Sequence, residues 1–124
     1  MARVCEESDG AARIEFQELK MELSQVLAGR QSVRQFAARD LEESKLRVVL
    51  EAAISAPSAG NLQAYEIYVV RQRHARERLA RAALRQEFIA QAPLTLVFCS
   101  VPGRSASRYG RRGEELYSVQ DATI

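Results

Sequence analysis

The sequence predicts an α+β fold in which helices pack on a small β-sheet. Three observations carry that prediction. Two β-rich runs, Tyr65–Val70 and residues 94–99, stand apart in the chain, each of strand length and bounded by turn or breaker residues. The stretches around them repeat apolar residues at intervals of three and four, the period of a helix with one buried face. Two strands make only a marginal sheet on their own, so something beyond this chain is expected to finish the core.

With 124 residues the chain suits one domain. No run of about 18 apolar residues occurs, which excludes a membrane-spanning helix. The first ten residues are polar and acidic and lack the apolar stretch of a secretory signal. Cys5 lies in that polar start and Cys99 in an apolar run. Neither a disulfide framework nor a metal-ligand spacing results, and Cys99 reads as a small buried hydrophobe in a reducing, cytoplasmic compartment. Of the 18 basic residues 16 are arginine, a choice that suits forked contacts to carboxylates or phosphates. The net charge of +2 does not by itself announce a nucleic-acid partner.

Residues 1–12 read as a flexible tail and 13–124 as the domain. Phe16, Leu19, Leu23, Val26 and Leu27 recur at helical spacing, with Gly29 placed to end that helix. Residues 30–36 read as extended or turn structure. Asp40 and Glu43 have the spacing of a capping box, opening a second helix with the stripe Leu46, Val49, Leu50 and Ala53. Pro57 disfavours helical geometry in its predecessor, so this helix is expected to stop near Ala56. Residues 57–63 form a loop by composition, and Tyr65–Val70 the first strand. A third helix is expected over 75–90, with Leu79, Ala82, Ala83, Phe88 and Ile89 inward. The unbroken apolar run at 94–99 suits a strand buried on both faces. Pro102, Gly103, Gly110 and Gly113 then mark a loop, and a last helix begins near Glu114 with Leu116, Val119 and Thr123 on one face. It reaches Ile124 with no stop signal.

Two segments carry chemistry. In an extended backbone Arg30, Ser32 and Arg34 face one side. Two guanidinium groups and a hydroxyl aimed at one point suit a phosphate monoester. A solvated connector paired with nearby glutamates is the competing reading. In the second segment, Ala56-Pro57-Ser58-Ala59-Gly60-Asn61-Leu62-Gln63, small residues let the backbone approach a flat ligand, and Gly60 permits unusual dihedrals. Asn61 and Gln63 offer donors and acceptors together, as a pyrimidine-like edge requires. A turn rich in these residues for local reasons is the alternative there.

In order, the two segments resemble the N-terminal part of the nitroreductase-like, FMN-dependent flavoproteins. The likeness continues through Gln86-x-Phe88-Ile89, Ala92-Pro93, the strand ending at Cys99, Arg108-Tyr109-Gly110-x-Arg112-Gly113 and Leu116-Tyr117-Ser118-Val119-Gln120-Asp121. The resemblance implies a homodimeric α+β flavoprotein, its core completed by dimerisation, with FMN held between subunits. Such proteins take a hydride from NAD(P)H and pass it to nitroaromatics, quinones or other small-molecule acceptors. By position Arg30, Ser32 and Arg34 match the residues that hold the FMN phosphate, and Gln31 the contact to the pyrimidine edge. Pro57, Ser58, Ala59 and Asn61 match the loop that reaches the flavin, generally from the partner subunit, and Gln86 a polar residue near the ring. Where many members carry Gln-Pro before a tryptophan, this chain has Gln63-Ala64 and then Tyr65. The resemblance also implies truncation: members continue the last helix and add parts that complete the flavin site.

No catalytic side chain or metal ligand is expected, because hydride chemistry belongs to the flavin and the protein supplies position and electrostatics. His74, the one histidine, reads as solvent-facing. Glu114, Glu115 and Asp121 read as helix-start carboxylates or partners of Arg111 and Arg112. The run Arg71, Arg73, Arg76, Arg78, Arg81 and Arg85 reads as a solvated face balanced by Glu77 and Glu87, since stacking aromatics are absent from it. Three functions remain open: an FMN-dependent oxidoreductase, a non-catalytic oligomeric flavin-binding remnant, and a basic nucleic-acid-binding module.

Overall fold

Strand β2 (Tyr65–Val70) organises the chain, because it supplies Tyr65 and Ile67 to the hydrophobic core cluster and pairs with a strand on each side. The computed structural model describes residues 22–124 and the backbone of residues 3–5. In the described residues β2 is the middle of three strands, in the order β1-β2-β3. Strand β3 (Thr95–Ser100) pairs with it antiparallel, Ile67 opposite Phe98 and Tyr65 opposite Ser100. Strand β1 (Arg3–Cys5), from the segment read as a tail, pairs on the other edge in parallel, Val4 opposite Ile67. The sheet therefore has one strand more than the sequence pattern gave.

Helix α1 (Leu23–Gly29) ends at the glycine expected to end it. Phe16 and Leu19, assigned to the same helix, lie outside the described residues. Helix α2 (Glu43–Ile54) lays Leu46 and Leu50 on Tyr65 and Ile67, and these four residues form the buried core. Val49, expected inward, is exposed, as the contact stripe is narrower than the apolar pattern. The capping box does not form: Glu42 occupies the N-cap without a side-chain cap and pairs with Lys45 at 2.6 Å. That bond holds the Glu42 carboxyl below its ordinary range.

Two expectations fail for reasons of tertiary packing. The helix expected over 75–90 is two helices, α3 (Arg73–Ala82) and α4 (Phe88–Gln91). Between them Leu84 and Arg85 adopt φ of 56° and 59°. The turn is closed by the Gln86 N–H, which donates to the carbonyls of Ala80 and Ala83. No glycine or proline marks this break, so residue pattern could not find it. Of the expected inward set Ala82 is exposed, whereas Ala80 and Arg76 are buried.

The loop expected after β3 is instead helix α5 (Pro102–Arg112), with Pro102 in its first turn, a position where the missing N–H costs nothing. Gly110 (φ 56°, ψ −145°) bends it into a corner. The chain then continues through a wide helical turn, Gly113–Tyr117, into α6 (Ser118–Thr123). Gly113 lies against the Ser105 backbone, where an added Cβ would stand 2.5 Å from a carbonyl oxygen. The Tyr109 and Tyr117 rings meet edge to face at 5.1 Å. Leu116, Val119 and Thr123, expected on one face, are all exposed, and the inward residues are Gly113, Ser118 and Asp121.

Strand β3 is not buried on both faces either. It is an edge strand, and its Phe98 and Cys99 are exposed. Because side chains alternate and Ile67 stands opposite Phe98, Cys99 points to the face away from the Leu46–Ile67 core. The thiol read as a buried hydrophobe is thus at the surface.

Candidate cofactor site

The loop between α2 and β2 holds three of the six positive-φ residues found among the described residues. After Ser58 (φ −137°, ψ 157°) a single tight helical turn spans Ala59–Asn61. Gly60, Asn61 and Gln63 take φ of 58°, 57° and 48°, a left-handed region that glycine enters freely and glutamine rarely. A Cβ on Gly60 would also meet the Tyr109 hydroxyl of α5, so that side chain would have to shift.

Hydrogen bonds from three directions hold the loop. The Gln63 N–H donates to Ser58 Oγ at 2.9 Å, and Gln63 Nε2 donates to the Ile54 carbonyl at 3.1 Å. From α5, the Arg104 guanidinium donates to the carbonyls of Gln63 and Tyr65. From α6, the buried Asp121 carboxylate accepts the N–H of Ala59 at 2.8 Å and of Ala64 at 3.2 Å. Sequence reasoning missed both Arg104 and Asp121. Asp121 does lie in the first turn of α6, as the helix-start reading expects, but its partners are loop N–H groups and not Arg111 or Arg112. Glu115 does pair with Arg111, at 2.7 Å.

Pro57 and Asn61 are exposed at the loop surface, and Ser58 and Ala59 half-buried. Arg30, Gln31, Ser32 and Arg34 are all exposed on the extended segment that follows α1. The guanidinium of Arg34 lies over the Phe88 ring, 5.8 Å from its centroid, a cation–π contact that ties this segment to α4. Gln86, exposed in the turn before α4, is two residues from that ring. The structure so brings Arg34 toward the Gln86 region. Among the described residues, no hydrogen bond or ion pair joins residues 30–34 to the 57–61 loop of the same chain.

A cleft of about 770 Å³ lies elsewhere, lined by Phe36, Arg73, Arg76, Arg81, Glu87 and Gln91 among others. It contains none of the predicted site residues. Arg76 in its wall is buried, donates to the Arg71 carbonyl and leaves Nε without a partner. Arg73 pairs with Glu77, as the solvated-face reading expects. His74 is exposed, and no cluster of metal-ligating side chains occurs among the described residues. No helix among them is long and apolar enough to cross a membrane.

Tyr65 couples the loop to the core. Burial pushes its phenol above the ordinary 10.0, and the Asp121 carboxylate adds to the effect. A raised folded-state value means stability that is complete below the unfolded value and lost as pH climbs through the folded one. Thermal stability is therefore expected to fall above about pH 10. Tyr65→Phe should flatten that decline, at the cost of a long 3.4 Å bond to the Ala53 carbonyl. Melting curves across the alkaline range check this, and equal slopes for both proteins would refute it.

The sequence pattern of the nitroreductase family matches residues 27–109. A protein of Thermus thermophilus named NADH dehydrogenase is 43% identical over 68 residues, 55% of this chain and 33% of that one. The FMN reductase (NAD(P)H) of Bacillus subtilis is 29% identical over 79 residues, 64% of this chain and 32% of that one. Among solved structures, nitroreductase A from Vibrio parahaemolyticus superposes with a TM-score of 0.70 at 28% identity, over 82% of this chain and 46% of that one. The matches thus span between about a third and just under half of each relative's length.

Proposed function

The chain belongs to the nitroreductase family, and from that membership we propose that it carries part of an FMN site in an NAD(P)H-dependent oxidoreductase. Arg30, Ser32 and Arg34 bind the phosphate, two forks and a hydroxyl meeting a dianion. Gln31 and Gln86 address the polar edge of the ring. Pro57, Ser58, Ala59 and Asn61 reach the flavin of a homodimer from the partner subunit. The residues present fit the group. Pro57 and Asn61, exposed on the loop, can lie against a flat ring, and exposed arginines at alternate positions offer charge-assisted donors.

Bound flavin supplies the hydride chemistry, from NAD(P)H to a nitroaromatic, quinone or similar acceptor. The chain's own residues bind, orient and polarise, and none is required as a proton donor. A cytoplasmic location accords with that donor. The observation carrying the reading is that the family match, residues 27–109, includes every one of these residues in order. The FMN reductase of Bacillus subtilis supports FMN as the flavin by its name.

Titration of the purified chain with FMN, alongside its mass in solution, tests the reading. Uptake of flavin by a dimer is expected, then bleaching by NAD(P)H and recovery with a quinone. A chain that takes up no FMN overturns the proposal, and uptake without bleaching reduces it to flavin binding. A colourless protein that binds an oligonucleotide with steep salt dependence would instead favour a basic module.

A further inference from the structure

Asp121 is 6% exposed in α6, yet among the described residues no cation stands within ion-pair distance of it. In a chain with 16 arginines that is a choice of partner. One oxygen accepts the Ala59 N–H and the other the Ala64 N–H, so a single carboxylate spans the turn. Between its two anchors the chain passes through three left-handed residues. Backbone strain of this kind persists only where the surroundings over-determine it, and it gathers at ligand sites.

We infer that Asp121 is a positioning residue, which fixes both ends of the 59–64 turn and thereby sets how tightly the loop's Ala59 and Asn61 hold a flavin, without touching it. The inference rests on the flavin reading above and goes past it, since α6 reaches the cofactor only through loop backbone. A carboxylate is suited to this because both of its oxygens are acceptors. An amide of the same size turns one of them into a donor that faces the N–H it should accept.

Asp121→Asn is expected to weaken FMN binding about tenfold, the equivalent of one charge-assisted hydrogen bond. The absorption envelope of the bound flavin should shift, and amide exchange at Ala59 and Ala64 should quicken. Leu50→Val, a core change that removes none of the loop's hydrogen bonds, lowers stability but should leave affinity and spectrum alone. Ala59→Pro removes one of the two N–H groups, and Ser58 already has the extended geometry a following proline requires. In that background Asp121→Asn should cost little more, because the bond is already gone.

Unchanged affinity and spectrum in Asp121→Asn, or losses that simply add in the double variant, would overturn the inference. Should Asp121→Asn not fold, Ala59→Pro reads the same bond from the loop side, and unaltered affinity there is equally fatal. A wild-type chain that takes up no FMN ends the flavin reading instead. Exchange at Ala59 and Ala64 then decides the clamp alone, and unaltered protection in the variant refutes it.

Discussion

Replacing Arg30 and Arg34 together by alanine is expected to weaken FMN binding about a hundredfold or more, on two charge-assisted bonds of roughly 1.5–3 kcal/mol each. The magnitude follows from the ligand, since a phosphate monoester concentrates negative charge on oxygens that a planar fork matches in pairs. Both arginines are exposed in the isolated chain, so the melting temperature should hardly move, as surface changes seldom exceed about 0.5 kcal/mol. Arg34 also lies over Phe88, which presets its direction. Arg34→Lys keeps the charge but loses the fork, and should fall between wild type and alanine. Riboflavin, which has the same rings without the phosphate, is the control. Its affinity should change little in the double variant, and equal losses for FMN and riboflavin would remove the phosphate assignment.

What could be read in advance followed from how local each cause is. Strand β2 occupies the residues its pattern named, because alternation and β-branched composition act within six residues. Gly29 ends α1 and Pro57 keeps α2 from reaching the loop for similarly local reasons. The loop at 57–63 was legible as a loop, and its Gly60 as a special position. Its anchors were not. Asp121 and Arg104 come from 57 and 41 residues away in sequence, and nothing near either residue announces a buried backbone partner. The break at Leu84 and Arg85 was hidden because the turn is imposed by the packing of α4, against the helical preference of both residues. The opposite error occurred at Pro102, Gly103, Gly110 and Gly113. These were read as loop punctuation, yet they are a helix start, a tolerated first turn, a pivot and a packing contact.

That last role carries the largest expected effect on stability, because Gly113→Val adds atoms where there is no room for one. A Cβ at this position stands 2.5 Å from the Ser105 carbonyl oxygen, 2.7 Å from its carbon and 2.9 Å from the Tyr109 Cβ. Two of those neighbours are main chain and cannot rotate away, so the α5–α6 corner must open. Overpacking of this kind costs about 2–3 kcal/mol, which for a chain of this size lowers the melting temperature by about 10 °C. Gly103→Ala in α5 meets nothing within 4 Å and should be neutral or slightly stabilising. The pair separates helix propensity from close approach. The consequence also reaches the candidate site, because the corner aims Tyr109 at Gly60 and carries Asp121 under the loop. Opening it should quicken amide exchange at Ala59 and Ala64 together with the loss of stability. A Gly113→Val protein that melts within two or so degrees of wild type would mean that the two helices slide past each other freely, and that the loop draws its shape from its own hydrogen bonds alone.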